Sequence, residues 1–440
     1  MKFEEYRISA EIKQSLEELQ FKRPTDIQFK AIPSILNGED VLAIAQTGTG
    51  KTGAFAIPIL HLLQERKKKN IKNIENFAEN NNRNATKKYA QNLSKTRIKC
   101  LVMVPTRELC IQIADVFQKL GKYTELNIFA LYGGIEQTEQ VLSLGEGIDV
   151  LVSTPGRMFS LQSQGHIDLD FVEILVLDEA DLMLDLGFIR DIRDVIKLIP
   201  KKHQTLFFSA TINKKIKELA YSIVWNPIRI QISPKDPVSK NVTHSILFVE
   251  MDDKRAFLER IINENPTKKI LVFARTRVRV ERIGKAMERV NIPVLMMHGG
   301  KEQENRLEVI EDFRNGVVRI LVTTDVSARG MDIAGVDYVV NYDLPEIPEN
   351  YVHRVGRTGR GDKKGFAISF CSEEEKPILV EIEGYLENKI TQTTVQKADY
   401  RETLALSEDV NDNWKQLLKD AAFAEKAAKE KPFKKSKKKK

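Results

Sequence analysis

Cysteine is scarce in this sequence, and long apolar runs are missing. The three cysteines, Cys100, Cys110 and Cys371, are far apart or lack a CxxC partner. This argues against a disulfide framework and a cysteine-ligated zinc site, and it favours a reducing, cytoplasmic location. No apolar stretch reaches the roughly 18 residues that a membrane-spanning helix needs. The N-terminal segment, MKFEEYRISAE, contains acidic residues and no apolar core, so we expect no secretory signal.

Positive charge is unevenly distributed along the 440 residues, whose net charge is +7. Residues 425–440 contain nine Lys and two Glu, and residues 66–97 contain ten Lys or Arg and two Glu. These two segments therefore contribute +7 and +8, which leaves about −8 for the remainder by subtraction. We expect a polyanionic partner that these segments tether without sequence preference.

Two series of short apolar runs, rich in Val, Ile, Leu and Phe, alternate with longer amphipathic segments. Runs of this kind, without polar alternation, are typical of strands that are buried on both faces of a parallel sheet. The first series ends near Ile230 and the second begins near Thr243. The runs occupy residues 40–46, 99–106, 127–133, 148–155, 174–181 and 204–211, then 244–251, 268–276, 294–300, 318–325, 338–345 and 365–372.

The pattern predicts two α/β domains in tandem, residues 1–231 and 243–392, joined by a linker at 232–242. That linker contains two prolines and few apolar residues. Residues 66–98 hold eight Asn and few apolar side chains, which predicts a flexible basic insertion. Residues 393–440 form a C-terminal extension that ends in a lysine-rich tail, which we expect to be disordered.

A phosphate-binding loop is indicated at residues 45–52, between an apolar run and a helical stretch. Glycines let the backbone direct its N–H groups at phosphate oxygens, Lys51 would reach the β- and γ-phosphates, and the Thr52 hydroxyl would bind Mg²⁺. The alternative is a Gly/Thr turn followed by a solvated lysine. The loop consists of Ala45, Gln46, Thr47, Gly48, Thr49, Gly50, Lys51 and Thr52.

Acidic residues follow another buried run in the sequence VLDEAD, residues 176–181. Carboxylates at the carboxyl edge of a parallel sheet lie in the ligand crevice of such folds. Asp178 is then expected to be a second Mg²⁺ partner through water, and Glu179 is expected to orient and deprotonate the attacking water. Alone, the alternative is a solvated acidic turn. The hydroxyls of Ser209 and Thr211 end the next run and could hydrogen-bond Asp181.

The segment YVHRVGRTGR, residues 351–360, concentrates arginine in the second half of the chain. On a helix His353, Arg357 and Arg360 would share one face. Arginine can clamp a transferring phosphoryl group, which predicts that one domain holds the nucleotide while the other supplies arginines across a cleft. The alternatives are a surface arginine run and a contact with RNA phosphates.

Taken together, these motifs resemble those of bacterial DEAD-box ATP-dependent RNA helicases of superfamily 2. The motifs AQTGTGKT, PTREL, TPGR, DEAD, SAT, ARGMD and HRVGRTGR occur in the family's order and spacing over roughly residues 1–392. The resemblance implies two RecA-like domains, a cleft between them, and RNA-stimulated hydrolysis of ATP with Mg²⁺. It also implies local unwinding of short duplexes and remodelling of RNA–protein complexes.

The resemblance also assigns nucleotide contacts outside the phosphate loop. Residues 1–29 contain the Q motif, in which Gln28 would hydrogen-bond adenine and Phe21 would stack on it; Phe3 fits the family's upstream aromatic. Gln20 replaces the usual glycine. Gly330 and Asp332 would contact the ribose, and Arg357 and Arg360 would be arginine fingers at the γ-phosphate. Catalysis is thereby assigned to Lys51, Asp178, Glu179, Arg357 and Arg360.

RNA contacts and interdomain coupling are assigned in the same way. Threonine, arginine and backbone groups can reach phosphates without reading sequence. The implied RNA contacts are Pro105, Thr106, Arg107, Gly134, Thr154, Arg157, Arg275, Gln303, Arg306 and Thr324. The implied coupling residues are Asp181, Ser209, Thr211, Asp325 and His353.

Two other functional classes stay open at the level of sequence. One is an ATP-gated RNA clamp or scaffold, in which holding RNA is the output, although an intact Glu179 and both arginines argue against a degenerate enzyme. The other is a DNA helicase. We expect a cytoplasmic monomer that binds single-stranded RNA and short duplexes, with ribosomal or RNA-decay proteins as possible partners.

Overall fold

The structure, a computed structural model, describes residues 2–46, 48–80, 97–212, 214–232, 238–300, 303–328, 333, 335–359 and 363–407. It contains two parallel sheets of seven strands each, one in each predicted domain. The predicted α/β architecture of two tandem domains is therefore confirmed. Within the described residues, no helix combines the length and the hydropathy that crossing a membrane requires.

The first sheet has the strand order β3-β4-β2-β5-β6-β1-β7, and all of its pairings are parallel. Its central strands are fully buried because apolar clusters cover both faces. The strands are β1 (Val41–Ala45), β2 (Cys100–Met103), β3 (Ile128–Leu131), β4 (Val150–Ser153), β5 (Ile174–Leu177), β6 (Gln204–Ser209) and β7 (Ile228–Ile232).

Helices cover both faces of the first sheet, and a short 3-10 turn, Phe3–Glu5, precedes them. The N-terminal helices pack on one face together with the helix that follows the phosphate loop. The helices are α1 (Ala10–Glu18), α2 (Asp26–Leu36), α3 (Lys51–Asn80), α4 (Arg107–Leu120), α5 (Gln137–Gly145), α6 (Pro155–Ser163), α7 (Ala180–Asp185), α8 (Ile189–Leu198) and α9 (Lys214–Ile223).

The second sheet repeats this plan with the order β10-β11-β9-β12-β13-β8-β14, which is the same order shifted by seven strands. Its pairings are also parallel. The strands are β8 (Val242–Phe248), β9 (Ile270–Phe273), β10 (Leu295–Met297), β11 (Ile320–Thr323), β12 (Tyr338–Asn341), β13 (Gly365–Cys371) and β14 (Thr391–Thr393).

The helices of the second domain complete its two faces, with a 3-10 turn at Glu373–Glu375. They are α10 (Lys254–Glu264), α11 (Arg277–Arg289), α12 (Gln303–Asn315), α13 (Asp325–Ala328), α14 (Pro348–Val355), α15 (Lys376–Leu386) and α16 (Lys397–Ser407). In both sheets the parallel strands place their carboxyl ends at one edge, where the loops that carry the sequence motifs lie.

The structure assigns a helix to the first part of the predicted insertion at 66–98. Helix α3 continues to Asn80, and the basic residues at 66–68 pair with acidic residues of the same domain. Lys67 pairs with Asp149 at 3.4 Å and Lys68 pairs with Glu11 at 2.6 Å. These ion pairs attach to the first domain a segment whose composition alone predicts flexibility. Residues 81–96 of the insertion lie outside the described residues.

The predicted boundary at residue 392 also differs from the structure. Strand β14 extends the second sheet beside β8, and α16 packs against α10. The Tyr400 hydroxyl donates to Asp253 at 2.6 Å, and Arg260 donates to Thr403 at 2.7 Å. The second folded unit therefore runs to Ser407. The lysine-rich tail at 425–440 lies outside the described residues.

Candidate functional site

The phosphate loop connects buried strand β1 to the N-terminus of α3. Gly48 and Gly50 have φ values of 82° and 90°, which are left-handed conformations that favour glycine. Thr49 donates to the Gln46 carbonyl at 2.7 Å and closes the turn. The Lys51 ammonium is buried and donates to the Ala45 carbonyl at 2.7 Å. The loop is thus preformed around a lysine, and the helix N-terminus favours an anion there.

Gln28 is bonded directly to this loop. Its side-chain amide donates to the Gly50 carbonyl at 3.1 Å, and its side-chain oxygen accepts from the Thr25 N–H at 3.0 Å. The side chain is only 2% exposed. A Cβ added to Gly50 would lie 2.7 Å from the Gln28 amide nitrogen, so the close approach requires glycine. Any adenine contact made by Gln28 would therefore be transmitted to the phosphate loop through one hydrogen bond.

The aromatic residues of the N-terminal segment lie beside a cavity of about 660 Å³. Phe3 and Phe21 line it, with ring centroids 6.2 Å apart. Phe3 is buried, whereas Phe21 is 40% exposed. An exposed ring at a cavity rim is available for stacking, which is the arrangement expected for a base-binding face.

The acidic cluster begins where β5 ends, two strands from β1 in the sheet, with β6 between them. Asp178 is buried, and its carboxylate accepts from the Glu179 N–H at 2.9 Å. Glu179 has φ 50° and ψ 49°, a left-handed conformation that is uncommon outside glycine. Such strain persists where the surrounding structure imposes it, and it is concentrated at functional sites.

Burial and crowding of negative charge raise the pKa of both carboxyl groups. Burial is the largest cause for Glu179, followed by the charge of Asp178, and together they raise its pKa to about 7. Burial also raises the pKa of Asp178, while the Lys51 ammonium opposes this rise. A carboxylate with a pKa near 7 is suited to general-base chemistry at neutral pH.

The third acidic residue links two motifs of the first domain. Asp181 accepts hydrogen bonds from the Thr211 N–H at 3.1 Å and the Thr211 hydroxyl at 3.2 Å, as expected. The Ser209 hydroxyl does not join this contact, because it donates to the Thr211 carbonyl at 2.8 Å. The expectation that both hydroxyls would bind Asp181 is therefore wrong for Ser209, which shapes the turn instead.

A small cavity of about 50 Å³ lies between the domains at this point. Glu179, Asp181 and Thr211 line it from the first domain, and His353 and Arg357 line it from the second. The Arg357 charge lowers the pKa of Glu179, although less strongly than burial raises it. Residues that are about 180 positions apart in sequence therefore share one electrostatic environment.

The predicted helical face of the arginine segment is wrong in detail. Helix α14 ends at Val355, and Gly356 follows it as the C-cap, so Arg357 lies in a turn. The Arg357 N–H donates to the Arg354 carbonyl at 3.0 Å. The turn nevertheless brings the Arg357 side chain to the same cavity as His353. Gly356 thus ends the helix and turns the chain, and the side chains of His353 and Arg357 still lie at the same cavity.

Arg354 is a residue that sequence reasoning missed. Its side chain is 1% exposed and donates to Asp325 at 2.6 and 2.8 Å and to the Asp343 carbonyl at 2.6 Å. Asp325, expected to couple the domains, is thus bonded within its own domain. The motif itself offered a signal, because Arg354 directly follows His353 and lies about 100° from it around the helix, away from the face that His353 was predicted to share with Arg357 and Arg360.

In the first domain, the predicted RNA-contacting residues all follow strand ends at the carboxyl edge. Thr106 caps α4 and accepts from the Leu109 N–H at 3.3 Å, and Thr154 precedes α6. Arg157 donates to the Ile135 carbonyl at 2.7 Å. Gly134 has φ 87° and lies against the Arg107 guanidinium. Pro105 lies directly between β2 and the α4 cap, so these groups form one continuous edge.

In the second domain, Arg275 and Arg306 are held by acidic partners. Arg275 pairs with Glu375 at 3.1 Å, and Arg306 pairs with Glu108 of the first domain at 2.9 Å. Glu108 lies in the PTREL motif but was not assigned a role from sequence. The interdomain pair places Arg306 beside the edge described above.

For the other predicted residues, the structure describes few contacts or none. Thr324 is buried and donates to the Ser327 hydroxyl at 3.3 Å, while Gln303 begins α12. Thr47, Gly330, Asp332 and Arg360 lie outside the described residues. Their predicted contacts therefore stay predictions.

The oxygen donors near the phosphate loop suit Mg²⁺ better than a metal whose ligands all come from the protein. Among the described residues, no three His, Cys, Asp or Glu side chains are arranged to hold an ion. Mg²⁺ usually takes one or two protein oxygens and completes its shell with phosphates and water. Thr52, in the first turn of α3, and Asp178, beside Lys51, are oxygen donors of this kind.

Comparisons with known proteins agree with this geometry. The family model described as DEAD/DEAH box helicase matches residues 25–219, and the model described as helicase conserved C-terminal domain matches residues 253–362. The ATP-dependent RNA helicase RhlB of Shewanella frigidimarina is 38% identical over 90% of this chain and 87% of its own length. The ATP-dependent RNA helicase CshA of Listeria monocytogenes is 36% identical over 90% of this chain and 69% of its own length.

Solved structures give the same result. Saccharomyces cerevisiae Dbp5 bound to RNA and ADP-BeF3 is similar with a TM-score of 0.77 and 28% identity, covering 92% of this chain and 98% of Dbp5. Mss116p bound to single-stranded RNA and AMP-PNP is similar with a TM-score of 0.77 and 26% identity, covering 97% of this chain and 86% of Mss116p. The chain belongs to the DEAD-box family of ATP-dependent RNA helicases, enzymes that hydrolyse ATP.

Proposed function

We propose that the cavity between the domains is where ATP hydrolysis is coupled to RNA binding. The observation that carries this proposal is that Glu179 and Arg357, from different domains, line one cavity. Both are needed for hydrolysis in this proposal, so the reaction can proceed only when the domains are closed. RNA that bridges the domains would favour closure and thereby stimulate turnover.

The chemical step would be an in-line displacement at the γ-phosphate. The oxygen of a water molecule bonds to the γ-phosphorus, the bond to the bridging oxygen breaks, and ADP leaves with that oxygen's charge. Glu179 takes the proton of the attacking water. Lys51 and the loop N–H groups stabilise charge on the phosphates, and Arg357 and Arg360 stabilise it from the opposite side. Mg²⁺ would be held by Thr52 and Asp178 and would neutralise charge on the phosphates.

Nucleotide selectivity would come from the N-terminal segment. Gln28 would hydrogen-bond the adenine edge while Phe21 stacks on the ring, and Gly330 and Asp332 would contact the ribose. Because Gln28 also donates to the Gly50 carbonyl, a change in its position on binding the base would be transmitted to the phosphate loop. This arrangement would favour ATP over other nucleoside triphosphates, since another base would leave a buried amide unsatisfied.

RNA would lie along the two carboxyl edges, across the interface that Glu108 and Arg306 bridge. Its contacts would be made to phosphate and sugar groups, so binding would be largely independent of sequence. A groove that closes around one bent strand does not fit a straight duplex, so closure would separate short duplexes locally. We further propose that the protein is a cytoplasmic monomer and that it binds ribosomal or RNA-decay proteins.

Steady-state ATPase assays test the proposal, with no nucleic acid, with single-stranded RNA and with DNA of matched sequence. Glu179→Gln controls for contaminating activity. Strong stimulation by RNA alone, abolished in Glu179→Gln, is the expected result. Equal stimulation by DNA would indicate a general nucleic-acid remodeller. ATP-dependent RNA binding without turnover would instead favour an RNA clamp.

A further inference from the structure

The most exposed large apolar side chain among the described residues lies far from the cleft. Trp225, in the turn between α9 and β7, is 88% exposed. Tyr221, one helical turn earlier, is 48% exposed, and Ile228 at the start of β7 is 39% exposed. Isolated exposed apolar residues are common, but three within eight positions, led by a tryptophan, form a surface that is suited to binding.

The turn that presents Trp225 is firmly anchored. The Trp225 N–H donates to one carboxylate oxygen of Asp40 at 2.7 Å, and the Thr205 N–H donates to the other at 2.8 Å. The Ile228 N–H donates to the Asp40 carbonyl at 2.8 Å. Asn226 has φ 46°, a left-handed conformation that turns the chain sharply. The backbone that presents the indole to solvent is therefore fixed, so binding would not have to order this turn.

Basic residues continue this surface along α9. Lys214, Lys217 and Tyr221 recur at spacings of three and four on α9, so they share one exposed face, and the exposed Trp225 follows in the turn after the helix. These four residues are here called the α9 stripe. Neither lysine forms an ion pair with a described residue. Glu218 is the acidic residue on the same face. The exposed Arg229 follows on β7, and Lys201 and Lys202 are exposed in the turn before β6.

The position of the α9 stripe separates it from the catalytic cleft. Helix α9 begins near the carboxyl edge, after the turn that contains Thr211, and runs back along the sheet. Trp225 lies at the amino edge, beside the start of β1. A helix of 10 residues is about 15 Å long, so the aromatic end is that distance from the edge that carries the motifs.

We propose that the α9 stripe is a second binding surface for single-stranded RNA, used by the part of a strand that extends beyond the cleft. Aromatic rings stack on unpaired bases and lysines attract phosphates, and this combination is typical of single-strand binding without sequence preference. The excess of basic over acidic residues favours a polyanion over an apolar protein partner. The inference rests on the RNA-helicase function of the chain and adds a site outside the sequence motifs described above.

Tryptophan fluorescence tests the contact directly. The sequence contains two tryptophans, Trp225 and Trp414, so Trp414→Phe leaves Trp225 as the single reporter. Stacking on a base is expected to quench its emission when a long single-stranded RNA is titrated. An RNA just long enough to fill the cleft should leave the emission unchanged. Unchanged emission with saturating long RNA would overturn the proposal and assign the stripe to a protein partner.

Binding measurements provide the second test. One stacked base contributes about 1–3 kcal/mol, so Trp225→Ala should weaken binding of long RNA roughly five- to hundredfold. Binding of the short RNA should not change, and Trp225→Phe should retain most of the long-RNA affinity. Equal losses for both RNA lengths, or no loss for either, would refute a separate site.

The salt dependence of RNA affinity tests the role of Lys214 and Lys217 independently. Each phosphate contact contributes roughly 0.7 to the slope of log affinity against log salt for a single strand. Lys214→Gln with Lys217→Gln should therefore reduce that slope by about 1.4 for long RNA only, and Lys285→Gln on exposed α11 is the matched control. An unchanged slope would count against the stripe. ATPase stimulation by the short RNA tests the helicase function itself and should be the same in all of these variants.

Discussion

Replacing Arg354 tests whether the buried pair with Asp325 holds the second domain together. In Arg354→Met a side chain of similar length keeps the packing but removes every donor. The Asp325 carboxylate loses hydrogen bonds of 2.6 and 2.8 Å, and the Asp343 carbonyl loses one of 2.6 Å. Breaking a buried ion pair by removing one partner costs about 3–5 kcal/mol. The Asp325 side chain is 22% exposed, so we expect the lower end, about 3 kcal/mol.

Chemical denaturation of the full chain measures this loss, and hydrogen exchange in α13 and α14 assigns it to the second domain. Arg289→Met, on an exposed position of α11, should change stability by less than about 0.5 kcal/mol. A double-mutant cycle with Asp325→Asn should give a coupling energy of about 2 kcal/mol. Additive effects, or a loss below about 1 kcal/mol for Arg354→Met, would refute the reasoning.

The same substitution has a functional consequence. The Arg357 N–H donates to the Arg354 carbonyl, so the turn that carries Arg357 is built directly on the anchored residue. We expect Arg354→Met to lower kcat of the RNA-stimulated ATPase while the KM for ATP changes little. A normal kcat in a destabilised protein would show that the anchor acts on stability alone.

Three further predictions concern the site. Gly134→Ala places a Cβ against the Arg107 guanidinium, so that side chain must move. RNA affinity should fall roughly tenfold, because one charge-assisted hydrogen bond to phosphate of about 1.5 kcal/mol would be lost. Gly145→Ala, with open space around it, is the control in an RNA-binding titration. Gln28→Ala removes two hydrogen bonds at about 0.5–1.5 kcal/mol each, so the KM for ATP should rise roughly tenfold while nucleotide-free RNA binding is retained. The general base must be ionised and its pKa is raised to about 7, so kcat/KM for ATP should rise with pH and level off above about pH 7. A profile that is flat between about pH 5 and about pH 8 would exclude Glu179 as the base.

The buried strands could be predicted from the sequence because each one lies in a short, predominantly apolar run. Each apolar run in the two series contains or overlaps a strand, and apolar clusters cover the central strands on both faces. The runs at β3 and β10 also contain strands, although these lie at sheet edges and are half-buried. The edge strands β7 and β14 were not recognised as strands. Their residues are largely exposed, so they carry no continuous apolar signal, and only pairing with β1 and β8 defines them.

The sequence could not reveal contacts that depend on tertiary structure. The basic start of the predicted insertion reads as flexible, but Asp149 and Glu11 hold it in place as part of α3. Arg354 and Asp325 are 29 positions apart, and no spacing rule connects them. The motifs indicate candidate catalytic residues because phosphate chemistry restricts which side chains can serve. The residues that support the candidate catalytic residues, such as Arg354, are determined by tertiary packing, which no sequence motif records.

The identical strand order of the two sheets has a consequence for how the chain folds. Each sheet is formed by parallel strands whose pairing partners are distant in sequence, and such sheets assemble slowly. Two copies of one topology in a single polypeptide offer each strand an equivalent position in the wrong half. Exchange of strands between halves is a characteristic failure of such proteins. Synthesis from the N-terminus reduces this hazard, because the first sheet can close before the second has emerged from the ribosome.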